Sequence, residues 1–535
     1  MKTKHWITGV FLLVAVTAMA QNRYVVHFTD KENSPYNVNQ PEEFLSTKSI
    51  SRRINQSIPV VVEDLPVNPD YLAAVKATGA KVFFRSKWLN AVLIEADNTE
   101  LTAIQGLSFV SNVELVAPNS RLKSRSSSDN DGKVSKNNRT EELETAFQNN
   151  LLGVDLLHAD GYQGQGVSIA FMDAGYKGVN TAAAFLHLFA NDKLLMKYNL
   201  VENDTNVYQY DVHGTQVFGT VAGQIQNQYE GIATEADFML FVTEDVPTEY
   251  RIEEYNFLFA AEMADSAGVD IINTSLGYNT FSDPSMNYTY EQMDGVTTII
   301  TQAAELAFSK GILVVTSVGN NGKSDTWPYL TAPADGKNVL SVGATDQSNL
   351  RANFSSIGPT SDGRIKPELM ALGVSPALLN QNGDVIHSSN GTSFSSPQIA
   401  GLAALLWQSQ PTLSNKELFD LMLSLGNRSE NPDNNYGYGI PNYGKYITSV
   451  DETSKSIKPF PNPFSDYISL SGMAGSQFIQ VDLIDANGKT ILKQSFENMI
   501  NDELTVDTRH FPSGIYILQL NGAKRQNLIQ RMVKY

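Results

Sequence analysis

Between residues 143 and 450 the sequence alternates short apolar runs, rich in Ile and Val, with longer segments of helical periodicity. Strands that are apolar on both faces are typical of parallel sheets covered by helices on both sides. We therefore predict an α/β domain with a mostly parallel, doubly wound sheet over this range. In such sheets the functional site lies beyond the carboxyl ends of the strands. The apolar runs that predict strands are 167–172, 238–242, 271–274, 312–316 and 339–342.

A nucleophile is predicted where a loop enters one of the helices. Residues 391–397 read GTSFSSP and precede the apolar run 398–407. Pro397 suits the first turn of a helix, where a missing N–H is tolerated. Ser393 therefore lies near unpaired helix N–H groups and the positive end of the dipole, which favour a developing oxyanion. A plain serine-rich helix start has the same pattern, and Ser395 and Ser396 are interpreted in that way.

Three other polar residues are predicted at the same edge of the sheet. Asp173 ends the first apolar run, His213 opens a helix, and Asn320 follows the run 312–316. A serine hydroxyl needs a base such as imidazole to remove its proton. The imidazole in turn needs a carboxylate to fix its tautomer and stabilise its charged form. The Asn320 amide is placed to donate to an oxyanion together with the N–H of Ser393.

Five motifs in the same order resemble the subtilisin-like serine proteases of the peptidase S8 family. They are FMDAG around Asp173, DVHGTQVFG around His213, NTSLGY at 273–278, SVGNNG at 317–322 and NGTSFSSPQIAG at 390–401. The resemblance implies a subtilisin-like fold with Asp173, His213 and Ser393 as the catalytic triad. It also implies an oxyanion site formed by Asn320 and Ser393, and chemistry that requires no cofactor.

The resemblance further implies where substrate binds. Ser275, Leu276 and Gly277 would form an edge that pairs with an extended peptide backbone, as in strand addition. The sequence departs from the family pattern at two positions. Ala174 stands where Ser or Thr usually follows the aspartate, and Gln216 stands where a second histidine is frequent. Neither position transfers a proton, so these departures concern fine tuning.

The first twenty residues predict export. Lys2 and Lys4 precede an apolar run over 6–19 that is short for a membrane span, and small residues at 18–20 suit cleavage before Gln21. No other apolar run reaches 18 residues, so no membrane span is expected. A net charge of −18 argues against nucleic-acid partners. The absence of cysteine excludes disulfides and thiolate chemistry.

The flanks of the α/β domain also resemble known modules. Residues 21–120 predict a small α+β unit that resembles the inhibitory propeptide of Bacteroidetes-type subtilases. Residues 461–535 predict a small β-sandwich, and the motifs PNPF, DANGK, PSGIYILQL and RMVKY resemble the C-terminal sorting domain of type IX secretion. An ordinary binding β-module remains open for this end. The ranges 121–142 and 451–460 predict linkers, the first a processing site or an uncut tether.

The sequence thus predicts a serine endopeptidase made as a zymogen and exported through the periplasm of a Gram-negative bacterium, either secreted or attached to the cell surface. Its expected partners are protein and peptide substrates, its own propeptide and the type IX machinery. Two alternatives remain: a catalytically inactive surface scaffold or adhesin, and an esterase with the same triad. A structural calcium ion is compatible with the sequence. The sequence contains no EF-hand-type loop, so no calcium ligands are assigned from it.

Overall fold

The computed structural model describes residues 21–118, 142–446, 458–471, 478–486, 488–497, 503–522 and 528–535. The chain up to Tyr443 forms one compact unit, and Gly444–Tyr535 forms a second. The predicted signal peptide, the predicted linker 121–142 except Glu142, and residues 451–457 lie outside the described residues. No helix within the described ranges is long and apolar enough to cross a membrane.

Residues 21–118, the N-terminal layer, form a four-stranded antiparallel sheet with the order β2-β3-β1-β4. Its strands and helices form the α+β unit that the sequence predicts for this range. A further helix over Thr47–Asn55 was not predicted, because its sequence TKSISRRIN carries little apolar periodicity. The elements are β1 (Asn22–Phe28), α1 (Thr47–Asn55), α2 (Pro69–Ala77), β2 (Lys81–Ser86), β3 (Ala91–Ala96), α3 (Asn98–Gln105) and β4 (Val110–Ala117).

Both faces of the sheet in the N-terminal layer are covered. Successive side chains of a strand point to opposite faces, and both faces of β1 and β3 carry apolar residues. Val26 and Ile94 pack in a core with residues of α2 and α3. Val25 and Leu93 belong instead to the hydrophobic cluster of the α/β domain. The layer is therefore packed against the rest of its compact unit through a continuous apolar core.

The α/β domain confirms the predicted doubly wound parallel sheet. Its seven strands follow the order β13-β12-β11-β10-β5-β9-β6, and all six neighbouring pairs are parallel. The strands of this sheet are β5 (Ser168–Asp173), β6 (Leu194–Asn199), β9 (Asp237–Val242), β10 (Ile271–Thr274), β11 (Leu313–Ser317), β12 (Val339–Thr345) and β13 (Leu369–Leu372).

Helices cover both sides of this sheet, and two short hairpins lie in its connections. The helices are α4 (Ala146–Leu151), α5 (Val154–Ala159), α6 (Leu186–Ala190), α7 (His213–Ala222), α8 (Ile252–Ala267), α9 (Ile299–Ser309), α10 (Ser395–Ser409) and α11 (Asn415–Leu425). The hairpin strands are β7 (Gln224–Ile225), β8 (Tyr229–Glu230), β14 (Leu378–Leu379) and β15 (Val385–Ile386). The strands β6 and β13 were not predicted.

The strand order reverses next to β5. From β5 the chain goes to the edge strand β6, returns to β9 between β5 and β6, and then crosses to β10 on the other side of β5. Such a switch point leaves a crevice at the carboxyl ends of the two adjacent strands. Asp173 ends β5, and Ser275 directly follows β10. The topology therefore positions these two residues side by side in the crevice.

The second compact unit contains only strands among its residues from 458 onward. Two sheets, β16-β17-β20 and β19-β18-β21-β22, enclose a common apolar core, as predicted for a small β-sandwich. The strands are β16 (Lys458–Phe460), β17 (Tyr467–Ser471), β18 (Phe478–Asp485), β19 (Thr490–Glu497), β20 (Glu503–Asp507), β21 (Gly514–Gly522) and β22 (Leu528–Lys534).

Candidate active site

Asp173 and His213 form a direct hydrogen bond at the carboxyl edge of the sheet. Nδ1 of His213 lies 2.7 Å from Oδ1 of Asp173, whose side chain is buried. The same oxygen accepts the N–H of Ala174 at 2.7 Å. The other oxygen, Oδ2, is buried without a hydrogen-bond partner. Ala174 has no hydroxyl to offer it, so the carboxylate is held chiefly through Oδ1.

Gly214 allows the close approach of α7 to the end of β5. A Cβ at this position would lie 3.0 Å from Cβ and 3.1 Å from Cγ of Asp173, and it would clash with the carbonyl oxygen of Gly175. A glycine is therefore required next to His213 for a steric reason. The sequence motif contains this glycine, but the reason becomes clear only from the packing of α7 on β5.

Replacing Gly214 by alanine is expected to lower kcat by about 100-fold, because the methyl group displaces the Asp173 carboxylate from His213. Steady-state hydrolysis of a peptide substrate checks this, with far-UV circular dichroism to verify the fold. Gly514→Ala is the control, since its added carbon would have no neighbour closer than 4.0 Å. Equal kcat values for the two variants would contradict the steric argument.

The charges around His213 favour its protonated form. Burial alone would lower the pKa of His213, but the nearby carboxylates of Asp173, Asp211 and Glu244 outweigh burial and raise it. Asp211 is also a positioning residue, since its Oδ1 accepts the N–H of His213 at 2.8 Å. Sequence reasoning did not single out Asp211, although it lies in the motif DVHGT. An acid two residues before a helix start is a common capping signal.

A base must be neutral to accept a proton, so activity is expected to fall with decreasing pH through the raised pKa of His213. Asp211→Asn keeps an oxygen acceptor but removes a negative charge, which lowers the pKa of His213. The acidic limb of the kcat/KM profile should therefore move to lower pH. Asp420→Asn, at an exposed site, should leave the limb unchanged. A shift to higher pH in Asp211→Asn would contradict the assigned sign.

Ser393 lies in a 3₁₀ turn over Thr392–Phe394 that leads into α10. Its hydroxyl donates to the carbonyl oxygen of Ser275 at 3.1 Å, and the Ser275 hydroxyl donates back to the Ser393 carbonyl at 2.9 Å. These reciprocal bonds tie the turn to the end of β10. Among the described residues, the Ser393 hydroxyl therefore forms its hydrogen bond with Ser275 and not with His213. The ring of Phe394, the next residue, packs 5.8 Å from the His213 ring.

Asn320 is oriented by Thr392. Its Oδ1 accepts both the N–H and the hydroxyl of Thr392, each at 3.0 Å. Because the oxygen is engaged there, the Nδ2 group is the free end of the amide. Asn320 is exposed, so this donor group faces the open side of the site. Thr392 is a second positioning residue that the sequence did not single out, although it directly precedes Ser393 in the GTS motif.

The segment 275–277 extends β10 toward the surface. Ser275 is buried and bonded to Ser393, Leu276 is half-buried, and Gly277 is exposed. Within the described part of the chain, the N–H groups of Leu276 and Gly277 have no backbone acceptor, whereas Tyr278 pairs with Ala332 in both directions. Strand-like backbone with unpaired groups at a crevice can accept another extended chain.

Two buried acids of α8 anchor the N-terminal layer. Asp265 forms ion pairs with Arg52 at 2.6 Å, Arg53 at 2.9 Å and Lys87 at 2.6 Å. Burial alone would raise the pKa of Asp265, but the three cations lower it to about 2. Glu262 accepts the main-chain N–H of Lys87 at 2.7 Å. The layer is therefore held on α8 by charge as well as by apolar packing.

Three parts of the sequence match models of known families. Residues 164–439 match the subtilase family, residues 23–133 match the peptidase S8 propeptide domain of Bacteroidota, and residues 458–535 match the secretion system C-terminal sorting domain. The last match indicates export by the type IX system, with the protein either secreted or attached to the surface. The expected propeptide and sorting domain are thereby confirmed.

Characterised proteins are similar to the α/β domain. Subtilisin DY of Bacillus licheniformis is 29% identical over 305 residues, which are 57% of this chain and 97% of that protein. Subtilisin NAT of Bacillus subtilis subsp. natto is 31% identical over 292 residues, 54% of this chain and 67% of that protein. Among solved structures, MycP1 from Mycobacterium smegmatis is 20% identical, with a TM-score of 0.46, over 58% of this chain and 86% of that one.

The doubly wound fold and these matches define a serine-type endopeptidase that is made with a propeptide. The chain belongs to the subtilase family, peptidase S8. The predicted subtilisin-like fold class and enzyme class are confirmed. The roles of individual residues in the crevice follow from their chemistry and are developed below.

Proposed function

We propose that the protein hydrolyses internal peptide bonds with Asp173, His213 and Ser393 as its catalytic triad. The observation that carries this proposal is the 2.7 Å bond between Asp173 and His213 at the switch point of the sheet, beside the turn that contains Ser393. The buried carboxylate fixes the imidazole with Nδ1 toward Asp173, which leaves Nε2 for the proton of the serine.

The reaction begins when the Ser393 hydroxyl leaves the Ser275 carbonyl and turns toward His213. Its oxygen attacks the substrate carbonyl carbon while its proton passes to Nε2 of His213. The imidazolium then gives this proton to the amine as the C–N bond breaks, which leaves an acyl group on Ser393. A water molecule, deprotonated by His213, attacks the acyl carbon, and the imidazolium then returns the proton to the Ser393 oxygen as the acyl bond breaks and the acid is released.

The oxyanion of the tetrahedral intermediate receives two hydrogen bonds. One comes from Nδ2 of Asn320, which Thr392 orients through Oδ1. The other comes from the main-chain N–H of Ser393, because the first turn of a helix leaves its N–H groups without intrahelical partners. The chemistry requires no cofactor, since proton transfer and charge stabilisation are both supplied by side chains and backbone.

Substrates bind as extended chains along Ser275, Leu276 and Gly277. The exposed, unpaired backbone of Leu276 and Gly277 supports this assignment. Recognition through main-chain hydrogen bonds suits peptides of many sequences. It also favours a peptidase over an esterase, because an ester substrate does not need such an edge.

The N-terminal layer keeps the enzyme as a zymogen until it is cut off. Its last strand, β4, reaches the first turns of α8, where Glu114 accepts the hydroxyl of Tyr255 at 2.6 Å. The first turn of α8 lies at the carboxyl edge of the sheet, so this contact places part of β4 near the crevice. The protein crosses the periplasm of a Gram-negative bacterium, and the type IX machinery then recognises residues 461–535. These two steps complete the proposed export route.

The test is a fluorophosphonate probe, which labels only an activated serine. The mature enzyme, with its N-terminal layer removed, is expected to carry the label on Ser393 in peptide mapping by mass spectrometry. The label should remain in Ser395→Ala and disappear in His213→Ala. An unlabelled enzyme would favour the inactive scaffold, and turnover of esters without turnover of internal peptide bonds would favour an esterase.

A further inference from the structure

Three glutamates converge at the carboxyl edge of the sheet, outside the triad. Glu244 lies two residues after β9, Glu249 lies in the following loop, and Glu253 belongs to the first turn of α8. Each offers a carboxylate oxygen, and these oxygens lie within 4.8 Å of one another. We call these three residues the acid cluster.

Glu253 is a buried ligand without a counter-charge. Its side chain is only 1% exposed, and its Oε2 has no hydrogen-bond partner. Its Oε1 accepts the N–H of Asp245 at 3.1 Å. Arg251, which directly precedes α8, pairs with Glu114 at 3.7 Å, and no ion pair to Glu253 is formed among the described residues. A buried carboxylate oxygen without a partner is costly, so it marks a place where a further ligand is needed.

The comparison with Asp265 shows what the acid cluster lacks. Both Asp265 and Glu253 are buried acids of α8, but Asp265 has three cationic partners and a pKa of about 2. Glu253 has no ion-pair partner among the described residues, and its Oε2 is buried without a hydrogen bond, which carries an energetic penalty. A cation placed among the three carboxylates would remove this penalty, as the cations of the N-terminal layer do for Asp265.

The chemistry of the cluster selects a hard divalent cation. Its donors are carboxylate oxygens, with no sulfur or imidazole ligand, which suits Ca²⁺ or Mg²⁺ more than zinc or copper. Calcium binds oxygens at about 2.3–2.6 Å, so ligands on opposite sides of the ion lie up to about 5 Å apart. Magnesium demands about 2.1 Å and therefore ligands within about 4.2 Å. Carboxylate oxygens that lie within 4.8 Å of one another satisfy the calcium limit without movement.

We propose that Glu244, Glu249 and Glu253 bind a calcium ion beside the substrate crevice. Glu249 is exposed, so the ion can enter from solvent and keep water molecules as additional ligands. Glu244 also accepts a hydrogen bond from Tyr278, the residue that follows the edge 275–277. The ion thus joins the start of α8 to that edge. It binds independently of whether Ser393 is the nucleophile.

The test uses terbium, a luminescent substitute for calcium that is excited through nearby aromatic rings such as Tyr278. The full chain with Ser393→Ala avoids self-digestion. Terbium emission is expected to saturate and to be displaced by calcium at lower concentration than by magnesium. Glu253→Gln and Glu249→Gln should each weaken terbium binding by roughly 100-fold or more. Glu430→Gln, at an exposed position outside the cluster, should bind as the parent does.

Two variants keep the test decisive. Glu249 is exposed, so its replacement preserves the fold even if Glu253→Gln does not fold. Calcium should also raise the melting temperature of the parent and of Glu430→Gln, but not of Glu249→Gln. Unchanged terbium binding in Glu249→Gln overturns the proposal. Equal displacement by magnesium and calcium overturns the assignment to calcium. In mature enzyme that retains Ser393, loss of cleavage after Lys or Arg in Glu249→Gln, without loss of terbium binding in the Ser393→Ala chain, would overturn the proposal and make the cluster a substrate pocket.

Discussion

Replacing Ser393 by alanine is expected to lower kcat on internal peptide bonds by roughly 10⁶, and His213→Ala by about the same factor. Asp173→Ala should lower kcat less, by about 10⁴. These magnitudes were measured on a subtilisin, which belongs to the same family. We expect similar values here because the two proteins are related. The physical reason for the order is that Ser393 and His213 exchange the proton, whereas Asp173 only orients the imidazole and stabilises its charge.

The measurement is kcat with an internally quenched peptide, on enzyme whose N-terminal layer has been removed by a separate protease. His510→Ala is the matched control for His213→Ala, because His510 is exposed in the second compact unit. Activity within tenfold of the parent in Ser393→Ala would show that another residue is the nucleophile. A loss in Asp173→Ala as large as in His213→Ala would mean that the carboxylate does more than orient the imidazole.

The sequence predicted the residues of the crevice because each lies at the end of a strongly apolar strand or the start of a helix. Asp173 and His213 are brought together by that rule alone, since β5 and α7 meet at the switch point. The position of residues at strand ends and helix starts could not predict the hydrogen bond between Ser393 and Ser275. That contact depends on how far α10 and β10 approach each other, which is a matter of packing and not of local pattern.

The acids of α8 show a second limit of sequence reasoning. Glu262 and Asp265 would be interpreted as the solvated face of a helix, yet both are buried. They are buried because residues 200 positions earlier in the chain cover them, among them Arg52 and Arg53 in the unpredicted helix α1. Periodicity within one helix carries no information about such a partner. The strand β3 was the available signal, since its four consecutive apolar residues at 91–94 indicate a sheet covered on both faces.

The anchoring of the N-terminal layer leads to the second large effect. Asp265→Ala removes the one ion-pair partner that Arg52, Arg53 and Lys87 share among the described residues. Removing one member of a buried charge network costs about 3–5 kcal/mol, because the remaining charges stay buried without compensation. At 1.4 kcal/mol for each factor of ten, the cut but still bound layer should dissociate at a concentration roughly 100- to 4,000-fold higher than in the parent.

The measurement follows peptidase activity as the processed complex is diluted, since activity appears when the layer dissociates. Glu63→Gln is the matched control: Glu63 pairs with Lys310 at 2.6 Å but its side chain is 38% exposed. A pair of this kind contributes less than about 1 kcal/mol, so the dissociation midpoint should change by less than tenfold. All the ion-pair partners of Asp265 lie in the N-terminal layer, so kcat/KM of the free mature enzyme should not change. A similar midpoint in both variants would mean that apolar packing alone holds the layer, whereas a large difference would assign its retention to the charge network on α8.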